Sequence, residues 1–133
     1  MNKNYLKSIL DEVNSIAIVG VSSNPERDSY KVMKFLQDYG FQVFPVNPNL
    51  ISTKILGQEC YSSLESIEQN VDMVDVFRAI EYIPGITNEA IKIKSKIFWT
   101  QEGLYSEEAE AIGTKAGLTV VMNQCPKKIL ENK

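Results

Sequence analysis

The sequence predicts an α/β fold, one doubly wound parallel sheet with helices on both faces, and three observations carry that prediction. Ile16 to Val19 is an unbroken apolar run ended by Gly20, the pattern of a strand covered on both faces rather than an alternating, half-solvated one. Comparable runs recur at 71–77, 97–99 and 118–122, and the stretches between several of them carry apolar residues at helical spacing. The connecting loops are short, which favours parallel strands joined by right-handed crossovers.

Taken in order, residues 4–13 place Leu6, Ile9, Leu10 and Val13 on one face of a short amphipathic helix that covers the sheet. The strand at Ile16–Val19 breaks at Gly20, Ser22–Pro25 forms a loop, and Val32, Met33 and Leu36 mark the helix that follows. Gly40 stands where a helix C-terminal glycine belongs, and 41–46 form a second strand whose Pro45 lies near its end. Asn47-Pro48-Asn49 turns the chain. Residues 55–61 read as a loop and a short edge strand, and Ser63 opens a brief helix through Leu64 and Ile67.

The run VDMVDVF at 71–77 is a largely buried strand with its apolar residues at 71, 73, 74, 76 and 77. Pro84 suits a first helical turn, with Ile86, Ala90 and Ile93 as the buried face. Ile97–Trp99 form a strand that ends near Gln101, and Glu102-Gly103 make the turn. Ser106 caps a helix whose face is Ala109, Ile112 and Ala116, and Gly117 ends it before the last strand. The tail 123–133 turns at Pro126 and becomes polar. The whole is one domain over 1–133, a Rossmann-like sheet without repeats or low-complexity tracts.

Composition narrows the function. Seventeen acids against fourteen Lys and Arg give a net charge of -3, which argues against a broad nucleic-acid surface. No apolar run has the length of a membrane span and the N-terminus is too polar for a signal peptide, so a cytoplasmic location without membrane contact is expected. Cys60 and Cys125 lack zinc-site spacing and read as free thiols, and no metal-ligand set is found. The absence of histidine excludes imidazole general-base catalysis and Ser-His or Cys-His nucleophiles, and no other catalytic constellation is evident.

In such folds ligands bind beyond the carboxyl ends of the strands. Those ends carry Gly20, Val21 and Ser22; Val46, Asn47 and Pro48; Phe77 and Arg78; and Gln101, Glu102 and Gly103. Gly20 permits close approach, and the helix start beyond it offers unpaired N–H groups to an anion. A dinucleotide fingerprint would place glycines at first, third and sixth positions, but those hold Gly20, Ser22 and Pro25. The ribose-binding acid is replaced by Asn47 and Pro48, so an NAD(P)-binding oxidoreductase is disfavoured. The Walker pattern is absent as well.

The strings VGVSSNPERDSY at 19–30, FPVNPN at 44–49, ILG at 55–57, VDVFR at 74–78, WTQEG at 99–103 and AGLTVVMNQCP at 116–126 occur in this order and spacing. Together they resemble the small, stand-alone CoA-binding proteins, related to the CoA-binding domain of the succinyl-CoA synthetase α subunit. The resemblance implies a ligand, coenzyme A or an acyl-CoA, bound without catalysis. By it, Gly20, Val21 and Ser22 bend around the diphosphate, and Arg27, Ser29 and Tyr30 contact phosphate or close the pocket rim. Arg27 suits that role, since guanidinium forks onto phosphate oxygens. Val46, Asn47 and Pro48 then flank the adenosine half, Phe77 and Arg78 line the pantetheine path, and Gln101, Glu102 and Gly103 form the opposite wall. Asn49 stands where many relatives carry a basic residue. The alternatives are an NAD(P)-binding oxidoreductase, a nucleotide-sensing domain, or a CoA-dependent acyl transferase or ligase component; a homo-oligomer or a partner enzyme stays open.

Overall fold

The computed structural model describes residues 2–131. Its sheet contains β1 (Ser15–Val19), β2 (Gln42–Val46), β5 (Met73–Val76), β6 (Ile97–Thr100) and β7 (Thr119–Val121), in the order β2-β1-β5-β6-β7 with every pair parallel. The chain winds outward from β1 to β2, then crosses back to β5 and proceeds the other way. The strand order therefore reverses beside β1, and the carboxyl ends of β1 and β5 flank the crevice where this topology places ligands.

Register distributes the core. Ile16 pairs with Val43 and Met73, and Val19 with Val46 and Val76. Because successive side chains alternate faces, Ile16 and Ile18 join one buried cluster while Ala17 and Val19 join the other. The first cluster lies under α1 (Lys3–Asp11), α2 (Asp28–Tyr39) and α5 (Pro126–Glu131); the second lies under α3 (Ile83–Lys92) and α4 (Glu107–Lys115). β1 is buried along its whole length, as its unalternating composition requires.

Local signals account for the helices. Asn2 caps α1 by accepting from the Tyr5 N–H at 2.8 Å, and Ser106 caps α4 by accepting from Ala109 N–H at 3.1 Å. Pro84 lies in the first turn of α3, where its missing N–H removes no intrahelical bond. The expected face of α4 is corrected at one position: Ala116 is exposed just past the helix end, and Gly113 is buried instead, so close to β7 that a Cβ there would lie 2.8 Å from Val120 Cγ2.

Two further expectations are corrected. The tail is not simply polar: Pro126–Glu131 is helical, and Ile129 and Leu130 are buried against α1 and α2. Six residues are too few to display a helical period, so two adjacent apolar residues concealed the element. Asn132 and Lys133 lie outside the described residues. Residues 54–59 form an antiparallel hairpin, β3 (Lys54–Ile55) and β4 (Gln58–Glu59), turning through Leu56 and Gly57 at φ 51° and 82°. Positive φ at both central residues favours Asn-Gly, and Leu56 hid the turn. Tyr61 then lies along β2: its N–H donates to Pro45 O, and its carbonyl accepts from Asn47 N–H, each at 2.9 Å.

Candidate functional site

Gly20 continues β1, its N–H donating to Val46 O at 2.8 Å, and then leaves the sheet at φ +91°. A Cβ there would collide with the Phe77 carbonyl oxygen and lie 2.8 Å from Arg78 Cδ. Glycine at this position lets the exits of β1 and β5 meet at the point where the strand order reverses.

The following loop is braced internally. Ser22 N–H donates to Ser29 Oγ at 2.9 Å, Asn24 N–H donates to Ser22 Oγ at 3.0 Å, and Asn47 Nδ2 donates to Val21 O at 3.0 Å. Ser29 is buried and works from inside α2 as the loop's anchor. Asn47 also accepts from Asn49 N–H at 2.9 Å, so both ends of its amide hold backbone. Val21 is fully buried in the core, which leaves only its backbone for a ligand.

α2 begins immediately after this loop. Its N-cap, Arg27, makes no side-chain capping bond, so the first N–H groups of the helix point outward without the usual side-chain acceptor. They face a cavity of about 390 Å³ lined by Gly20, Ser22, Glu26, Arg27, Asp28, Ser29 and Phe77. Helix N-terminal charge and the Arg27 guanidinium favour an anion, while the carboxylates of Glu26 and Asp28 restrict where it can sit.

Arg78 leaves β5 toward α3 and lies over the Tyr82 ring, 4.4 Å from its centroid. There it borders a second cavity of about 360 Å³ with Val46, Pro48, Ser62 and Ser63. A third, of about 220 Å³, lies between α2 and α5 and is lined by Asp28, Gln101, Glu102 and Cys125 among others. Phe77 and Arg78 are consecutive and serve the first two cavities, and Asp28 is shared by the first and third. The structure thus gathers Gly20, Ser22, Arg27, Ser29 and Phe77 around one cavity, Val46, Pro48 and Arg78 around the second, and Gln101 and Glu102 around the third. Tyr30 instead borders an open groove with Pro25 and Phe35, and Gly103, whose N–H donates to Asn123 Oδ1 at 2.6 Å, lines none of the three.

Sequence reasoning passed over Asp75. It is 0 % exposed in the middle strand, between Ile18 and Trp99 in register. With the Gln101 amide oriented to satisfy both groups, its Nε2 donates to both Asp75 carboxyl oxygens at 3.2 Å. Desolvation pushes the Asp75 carboxyl well above the usual carboxylate range. The available signal was an acid inside an otherwise apolar strand. Its neighbour Asp72 is different in kind: Oδ2 accepts from the Asn14 and Ser15 N–H groups at 2.8 and 3.2 Å, tying the amino end of β1.

Residues 14–131 match the profile of the CoA binding domain family. The chain belongs to that family. A relative of this CoA-binding-domain chain is the uncharacterized protein YneT of Bacillus subtilis, 40% identical over 126 residues, which span 95% of this chain and 92% of YneT. A hypothetical protein from Pyrococcus horikoshii superposes with a TM-score of 0.93 at 35% identity, covering 98% of this chain and 91% of that one. The ADP-forming acetate–CoA ligase of Methanocaldococcus jannaschii is 27% identical over 90 residues, 68% of this chain but 12% of the ligase.

Within this CoA-binding-domain fold the remaining reactive groups are few. Cys60 and Cys125 are free and buried, and burial pushes the Cys60 thiol up. Glu102 pairs with Lys128 at 2.8 Å at the surface. Among the described residues no group of three or more Cys, Asp or Glu could hold a metal ion, and no helix is long and apolar enough to cross a membrane.

Proposed function

We propose that this chain binds coenzyme A or an acyl-CoA at the carboxyl ends of β1, β2, β5 and β6, as a binding module rather than a catalyst. The observation that carries the reading is the start of α2, free of a side-chain cap and facing the cavity that Gly20, Ser22 and Arg27 surround, in a chain of the CoA-binding domain family. The diphosphate accepts from the first N–H groups of α2 and from the Arg27 guanidinium. The Ser22 hydroxyl already accepts from Asn24 N–H, but its proton is available for donation to phosphate.

The adenosine half lies toward Val46 and Pro48, and the pantetheine arm passes Phe77 and Arg78 toward Gln101, Glu102 and Gly103. Asn47 supports this reading against NAD, because the residue at the end of β2 is committed to backbone and offers no carboxylate to a ribose. Val21, Ser29 and Asn47 act by shaping the loop, and Tyr30 forms the outer rim.

Thermal-shift and calorimetric titration with CoA, acetyl-CoA, NADH, NADPH and ATP tests this. CoA at a hundredfold excess over Kd is expected to stabilise by about 2.7 kcal/mol, roughly 8 to 12 °C in Tm for a chain of this size. NADH or ATP matching or exceeding CoA, or no response to CoA at millimolar concentration, refutes the reading. Arg27→Ala is expected to lower CoA affinity by about 1 to 3 kcal/mol with Tm of the free protein unchanged. Similarity to part of an acetate–CoA ligase favours a second reading, a CoA-carrying component of a ligase reaction. Acyl-CoA turnover by the isolated chain would establish that alternative.

A further inference from the structure

Gly85 is a glycine that the backbone does not explain. Gly20 stands at positive φ and Gly113 is pressed by Val120, whereas Gly85 is helical, without positive φ, and a Cβ built on it would meet nothing within 4 Å. It lies in a continuous helical run, the 3₁₀ turn Ile80–Tyr82 followed by α3, where alanine would hold the helix better. Gly85 faces the second cavity, of about 360 Å³, and so do Glu81 and Glu89, one helical turn to either side of it. Val46, Pro48 and Leu64 bring apolar side chains to the same cavity from other elements. Of the two acids, Glu81 is exposed and Glu89 is partly buried. Glu89 makes no hydrogen bond or ion pair among the described residues. Burial and the nearby Glu65 push its carboxyl up, with Lys92 offsetting them in part.

We propose that Gly85 is a specificity-determining residue, its missing side chain leaving room for a flat base against α3, and that Glu89, one turn on, accepts a hydrogen bond from the exocyclic amino group of that base. The inference rests on the CoA reading, which directs the adenosine half toward Val46 and Pro48 in this cavity, and it names the edge of the base that is read. Adenine fits the chemistry of the slot: it is flat, its faces suit the buried Ile86 and Leu64 side chains, and its amino group brings two N–H donors. The partly exposed Glu89 is a carboxylate at pH 8 and therefore an acceptor only. A purine with a 6-oxo group in place of the amino group sets oxygen against oxygen there and is rejected. The helix thus gives up intrinsic stability at Gly85 in exchange for the base.

Calorimetric titration at pH 8 of wild type, Gly85→Ala, Gly85→Leu and Glu89→Gln tests this with two ligands, CoA and its hypoxanthine analogue, in which a 6-oxo group replaces the adenine amino group. Wild type is expected to bind CoA at least about tenfold more tightly than the analogue. Glu89→Gln, whose amide can accept or donate, is expected to bring the two ligands to within about threefold of each other. Gly85→Ala is expected to weaken CoA about tenfold and Gly85→Leu about a hundredfold, as the added side chain occupies the room for the base. Gly85→Ala is also expected to raise Tm of the free protein by about 2 to 4 °C, so that stability and affinity move in opposite directions. A glycine required by the fold alone cannot give that pattern. Should Gly85→Leu not fold, Gly85→Ala carries the comparison.

Equal affinity of wild type for the two ligands, CoA affinity unchanged in the folded Gly85 variants, or a lowered Tm in Gly85→Ala would overturn the assignment. Failure of wild type to bind CoA would refute the CoA reading itself, and this inference with it.

Discussion

Gly20 carries two requirements that no other residue meets together. Its φ of +91° disfavours any side chain, and a Cβ would strike the Phe77 carbonyl where β1 and β5 exit side by side. Gly20→Ala is therefore expected to cost at least about 2 kcal/mol in urea unfolding, with CoA binding reduced in whatever folds. A loss under about half a kcal/mol would show that the two loops separate easily. Asp75 gives a prediction of opposite character. Burial raises its folded pKa above the unfolded value near 3.9. The folded chain thus holds the proton more tightly, so the group's contribution is complete below the unfolded value and declines as pH rises toward the folded one. Comparing urea midpoints of wild type and Asp75→Asn from pH 4 to 8, the wild type is expected to lose ground steadily as pH rises. Parallel curves would mean that the carboxyl is ionised within the fold.

At the scale of elements, what the sequence makes legible follows from how much chain each signal occupies. β1 and α2 are long enough to show an unbroken apolar run and a helical period, and both lie where those patterns place them. Ser106, Pro84 and Gly40 mark helix ends through local chemistry that needs no tertiary information. The hairpin at 54–59 and α5 escaped because each is too short for its pattern to repeat more than once, and tertiary contacts rather than propensity hold them. The site divides in the same way. Gly20, Ser22 and Arg27 are consecutive with a strand-turn-helix and could be read from it. The bracing roles of Ser29 and Asn47, and the partnership of Asp75 with Gln101, depend on contacts across 7 to 26 residues of sequence. α5 supplies the test at this scale. Leu130 is 5 % exposed beside α1 and α2, so Leu130→Ala is expected to cost about 2 to 4 kcal/mol in chemical denaturation. A cost near zero would return residues 126–131 to the status of a tail.

For the molecule as a whole, charge and topology together decide where a ligand can act. A chain of net charge -3 repels a polyphosphate at long range, so binding depends on a local field. The fold supplies it at one end only: the start of α2 and Arg27 stand beside β1, where the strand order reverses, while the other end of the sheet is tied by Asp72. CoA bound there would touch segments that are distant in sequence and adjacent only through the order β2-β1-β5-β6. Hydrogen exchange is accordingly expected to slow on CoA addition at 20–30, 46–49, 77–79 and 101–103 together, since ordering of those loops suppresses their local opening. The amino ends of the same strands, at Asn14, Phe41, Asp72, Lys96 and Leu118, are expected to exchange at unchanged rates. Protection at the amino ends, or at only one of the four carboxyl-end segments, would show that the ligand does not span the crevice and that the topology has been assigned the wrong work.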